Sequence, residues 1–146
     1  MGSLHIQNLT YSIGEESFSR IEDLEFWAPL LHEVLPLFTE VEVHCWVDEK
    51  EAIRLIKPFA HTIRTENSMV IFTMPLIERL RDLLLKSAIN DRDSIHWFSL
   101  FFKKNGSVVY SVEHHGSELH FYQISKEEYI HIQSFFPRES IFHYLD

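Results

Sequence analysis

Two dipeptides, Asn105-Gly106 and Gly116-Ser117, constrain the fold of this chain more than any other feature, because each separates runs that read as strands. The runs are Ser94–Lys104, Ser107–His115 and Glu118–Gln123, all rich in aromatic and β-branched residues. Asn-Gly suits a type I′ turn, whose two central residues need positive φ, and Gly-Ser suits type II′. A three-stranded antiparallel meander near the C-terminus follows. Around it the patterning predicts an α+β fold with a mixed or mainly antiparallel sheet and about four helices packed mostly on one face. The 146 residues contain no repeat, low-complexity stretch or Gly/Ser/Pro linker, so a single domain spanning 1–146 is expected.

Further elements read off in order. Leu4–Ile13 is a plausible first strand. Ser19-Arg-Ile-Glu22 has capping-box form and predicts a helix start. Pro29 and Pro36 break the apolar run that follows into two short helical pieces. Thr39–Val47 alternates, placing Val41, Val43, Cys45 and Val47 on one face and Glu40, Glu42, His44 and Trp46 on the other. Asp48 and Glu51 form a second capping signal for a helix over Glu49–Lys57, closed by Pro58. A strand–turn–strand unit runs to Pro75, and then Leu76, Ile77, Leu80, Leu83 and Leu84 recur at helical spacing. Ser125-Lys-Glu-Glu128 caps a last helix that Pro137 ends, and the apolar tail beyond it is expected to pack on the domain or to dock a partner.

Two-residue turns fix a register. They pair Phe102 with Val109, His96 with His115, and Glu113 with His120. One face would then carry Ile95, Trp97, Phe101, Tyr110, Val112, Leu119 and Phe121 as core. The other would carry His96, Phe98, Leu100, Phe102, Glu113 and His120. On that second face His96, Glu113 and His120 offer two imidazoles and a carboxylate, a set suited to a divalent metal or to general base chemistry. The same residues are also ordinary solvent-face partners on an antiparallel sheet. Phe98, Leu100 and Phe102 would make a self-association patch for a homo-oligomer. No HExxH, His/Cys quartet, phosphate loop, nucleophile elbow or dinucleotide fingerprint accompanies them, so neither a catalytic residue nor a cofactor is assigned.

Charge narrows the choice of partner. The formal net charge is −9, and the window from Glu15 to Glu51 holds eleven acids against two bases, Arg20 and Lys50. The rest of the chain is balanced. Such a field repels nucleic acid and attracts a basic protein. Cys45 is the single cysteine, flanked by apolar residues, and neither a secretory leader nor an apolar run of membrane-spanning length is evident, so a cytoplasmic protein without a membrane partner is expected.

The acids Glu22, Asp23, Glu25, Glu40, Glu42, Asp48 and Glu49 come from one local region, with Trp46 on the same strand face as two of them. An aromatic anchor ringed by carboxylates suits a surface that grips lysine or arginine side chains. The bland alternatives are a solvated acidic surface and a Trp46 buried beneath a helix. In size, charge and lack of a catalytic signature the chain resembles the bacterial immunity proteins and nuclease inhibitors. That resemblance implies a stoichiometric inhibitor of a basic partner such as a nuclease toxin domain, acting by electrostatic capture and steric occlusion.

Overall fold

The computed structural model describes residues 1–11, 20–21 and 23–146. Among them the strands are β1 (Gly2–Gln7), β2 (Thr10–Tyr11), β3 (Arg20–Ile21), β4 (Glu40–Trp46), β5 (Thr62–Glu66), β6 (Met69–Pro75), β7 (Ser99–Lys104), β8 (Ser107–Glu113), β9 (Glu118–Ile124) and β10 (Ile141–Leu145). The helices are α1 (Trp27–Val34), α2 (Lys50–Ile56), α3 (Glu78–Lys86) and α4 (Lys126–Gln133). Eight strands form one sheet in the order β10-β1-β9-β8-β7-β4-β6-β5, and every pairing in it is antiparallel. β2 and β3 form a separate small ribbon.

The alternation of β4 is as the sequence implies: Val41, Val43 and Cys45 are fully buried while Glu40, Glu42 and His44 face away from them. The same side of the sheet contributes Leu4, Ile6, Phe72, Met74, Leu100, Phe102, Tyr110, Val112, Leu119 and Phe121 to one core, together with residues from all four helices. The helices therefore cover one face, and the other is left open. Trp27 and Trp97 lie in that core with their indole N–H groups donated to the carbonyls of Leu84 and Ala52, at 2.8 and 3.0 Å. Arg81 ties the helical layer together, its guanidinium donating to the carbonyls of Leu76, Leu35 and Phe38 at 2.8, 2.6 and 2.9 Å.

Several expectations are corrected. Arg20–Ile21 is strand, and the first helix starts at Trp27; Ser19 and Glu22 of the expected capping box lie outside the described residues. The two short helical pieces are present as α1 and a 3-10 turn at Leu35–Leu37 that holds Pro36, but Pro29 is not a break: it falls within the first turn of α1, where its missing N–H costs nothing. The α2 cap position is Glu49, not Asp48, and its side chain does not bond the helix's first N–H groups. The C-terminal tail, by contrast, packs on the domain as expected, as a strand, β10, against β1.

The meander itself exists with a different register. A bulge on β8 makes Val108 pair with Lys103 but Tyr110 with Phe102, so Val109 is an extra residue and every pair beyond it shifts by one. Leu100 and Phe102 consequently enter the core, each fully buried, and Phe101 points to the open face. That removes Leu100 and Phe102 from the expected self-association patch. The second hairpin closes through four residues, not two: Glu113 pairs with Glu118, and His114 and His115 take φ of 53° and 58°.

Candidate functional site

The register places the open-face residues in transverse rows. One row runs His143, His5, His120, Ser111, Phe101, Glu42, Thr73, Thr62 across all eight strands, and the next runs Ile141, Gln7, Glu118, Glu113, Ser99, His44, Ile71, Arg64. Side chains in a row come from distant parts of the chain but stand within reach of each other.

On β4 the strand acids have cations of their own. Glu42 bonds His44 at 2.7 Å and lies 3.6 Å from Lys103 and 3.8 Å from Arg64, while Glu40 lies 3.9 Å from Lys103. Partial burial works to raise the Glu42 pKa, but the His44 hydrogen bond and the charges of Lys103, His44 and Arg64 outweigh it and hold it below the ordinary carboxylate range.

At one end of the sheet the surface opens into a recess of about 840 Å³. Trp46 stands at its edge, 38% exposed, its ring centroid 5.0 Å from that of Phe98. The expectation that a helix would bury this tryptophan does not hold. Asp48, Glu49 and Glu118 supply three carboxylates to the lining, against one guanidinium from Arg92. Glu49 is fixed from both sides, accepting the Trp46 backbone N–H at 2.7 Å and pairing with His115 Nε2 at 3.0 Å. Burial would lower the His115 pKa, yet the bond and charge of Glu49 and the Ile95 carbonyl against Nδ1 raise it overall, favouring the imidazolium.

A smaller recess of about 480 Å³ adjoins the first through Asn8, which lines both. It carries Asp23, Glu25 and Glu139. Asn8 is clamped, donating to the Gly116 carbonyl at 2.9 Å and accepting from Ser140 Oγ at 3.0 Å. Trp46, Asp48 and Glu49 therefore line the larger recess, a trough at the end of the sheet, and Asp23 and Glu25 the smaller one, whereas Glu40 and Glu42 stand apart on the open sheet face and Glu22 lies outside the described residues. Asn8, Glu118 and Glu139 line these recesses without having been singled out from sequence.

A histidine-rich cluster occupies the β1–β9 side. His5 Nε2 lies 3.0 Å from Glu118 Oε1, His114 bonds the other oxygen of Glu118, and His120 Nε2 lies 3.2 Å from Glu113 Oε2. Ser111 Oγ donates to the same Glu113 oxygen at 2.9 Å. The His5 and His120 rings stack with centroids 4.4 Å apart. Partial burial lowers the His120 pKa, only partly offset by Glu113, so its imidazole is neutral at neutral pH. Glu113 and His120 thus meet as expected, but diagonally. His96 is not with them: it lines the recess, its backbone N–H bonded to Ala88, and burial lowers its pKa. Cys45 is sealed in the core, and burial, reinforced by Glu49, pushes its thiol up to about 12, which disarms it as a nucleophile.

Compared with protein-family models, with curated proteins and with solved structures, the chain matches none. No helix among the described residues is long and apolar enough to cross a membrane.

Proposed function

We propose that the protein is a stoichiometric protein-binding module, an immunity- or antitoxin-like inhibitor, that receives a cationic segment of a basic partner in the trough beside Trp46. The observation that carries this reading is the half-exposed Trp46 on Phe98 in a recess lined by Asp48, Glu49 and Glu118, of which Glu49 is paired with His115 and Glu118 with His5 and His114. An indole that is already packed on one side loses little freedom when a partner covers the other, and the acids beside it supply steering and charge-assisted bonds to lysine or arginine. The adjoining Asp23, Glu25 and Glu139 extend the same field along the surface. Glu40 and Glu42 contribute less, since Lys103 and Arg64 already screen them.

The molecule carries its own reporter. Trp27 and Trp97 are buried, so a change in tryptophan emission on adding a ligand that leaves the core intact comes from Trp46. Titration with an oligoarginine peptide at low salt is expected to shift that emission with one-to-one stoichiometry, and the response should fade as salt rises above roughly 0.15 M, where the Debye length falls below about 8 Å. Against a natural partner, Trp46→Ala is expected to weaken binding by about 2 kcal/mol or more. Asp48→Lys should slow association. An emission that ignores the peptide, together with wild-type binding by both variants, would sink the reading.

A further inference from the structure

We propose that His5, His120 and Glu118 form a binding site for one divalent late transition ion of the zinc type on the open face of the sheet. The donor atoms of these three side chains all lie within 4.8 Å of one another. Adjacent ligands on a tetrahedral ion with bonds of about 2.0–2.2 Å stand roughly 3.3–3.6 Å apart. His5 Nε2 and Glu118 Oε1, hydrogen-bonded at 3.0 Å, are already near that spacing. The His120 ring, stacked on that of His5 at 4.4 Å and 12°, turns out of the stack for its in-plane lone pair to meet the same ion.

The backbone makes the arrangement durable. His5 on β1 and His120 on β9 are register partners, directly across an antiparallel ladder, and Glu118 precedes His120 by two residues and so projects from the same face. All three donors stand on paired strands, which hold ligand geometry better than loops do. The flanking groups are those a metal site uses. Glu113 lies beside the His120 imidazole and takes a hydrogen bond from Ser111, and His114 holds the second oxygen of Glu118. Two carboxylates in the cluster offset the charge of a divalent ion.

Donor chemistry selects the ion. Two imidazoles with one carboxylate suit zinc, cobalt, nickel or copper, whereas magnesium and calcium want oxygen sets. Three protein ligands on a partly exposed face leave a coordination position for water or for a donor from another molecule. The proposal stands apart from the docking reading, with Glu118 and its partner His114 common to both.

The test uses the full-length untagged protein, freed of metal by chelator, with Zn²⁺ followed by calorimetry and Co²⁺ by its visible spectrum. One ion per chain is expected, with a tetrahedral or five-coordinate cobalt spectrum and a rise in melting temperature. His5→Ala and His120→Ala should each weaken binding by about tenfold or more and abolish the thermal shift. Glu118→Gln should do so too. His61→Ala, on the far side of the sheet next to β5, should leave binding unchanged, as should Trp46→Ala, which separates this site from the docking surface. Melts without metal establish that each variant folds, and His120→Asn serves if an alanine variant does not. Millimolar or absent Zn²⁺ binding, or wild-type binding by the His5 and His120 variants, overturns the proposal.

Discussion

Tyr110 is fully buried in a stack with Phe38, Phe102 and Phe121, and its hydroxyl has no hydrogen-bond partner among the described residues. Burial pushes its pKa far above the ordinary value, as it must for a phenol sealed in hydrocarbon. An unsatisfied buried hydroxyl costs about 1–3 kcal/mol. Tyr110→Phe keeps the ring and removes that penalty, so urea melts are expected to show the variant as stable as the wild type or more so. A loss of stability would mean that the hydroxyl has a partner. Glu42 makes the opposite case, a charge that folding favours. Its pKa is depressed in the fold, so its contribution is present above the ordinary 4.5 and lost as pH falls through the lowered value. The stability gap between wild type and Glu42→Gln should accordingly be widest near neutrality and close in acid, which denaturant melts at pH 7 and pH 3 would measure.

Elements were legible where local chemistry alone decided them. Ser125 and Glu128 make the reciprocal cap read from sequence, and Asn105 and Gly106 both take positive φ as their turn requires. The α3 periodicity delivered Leu80 and Leu84 to the core, yet Ile77 remains about half exposed, since it caps the helix and does not belong to its buried stripe. What failed was arithmetic across strands. One extra residue at Val109 reversed the faces of β7, and the positive φ of His114 and His115 converted a presumed two-residue turn into a four-residue loop. Neither carries a local signature, because a valine bulge and a left-handed histidine are set by what they pack against. Gly116, at φ +96°, completes that loop where a Cβ would meet Ile95 Cγ1 at 2.7 Å. Between elements, the three-carbonyl grip of Arg81 joins α3 to the end of α1 and the turn after it. Lysine cannot fork in this way. Arg81→Lys is expected to cost about 1.5–3 kcal/mol, the worth of one or more charged hydrogen bonds, read as a lower urea midpoint with an unchanged slope.

At the level of the whole molecule, the sheet explains why the candidate site was only half visible in the sequence. Asp23, Glu25, Asp48 and Glu49 were singled out by charge and Trp46 by its strand face, and the fold sets them around two recesses that share Asn8. Glu40 and Glu42 matched the same criterion but stand where β7 and β5 bring Lys103 and Arg64 across to them. The histidine group needed β1, whose partnership with β9 spans more than a hundred positions and leaves no local trace.

The transverse rows have a consequence for how such a protein drifts over generations. The His5 ring stacks on those of His120 and His143, with centroids 4.4 and 6.0 Å away, though more than a hundred positions separate it from either. Replacement of one should be answered by replacement of the others, rather than by changes at positions beside it in the chain. Descendants would then show linked substitutions running across the strands, like rungs exchanged whole.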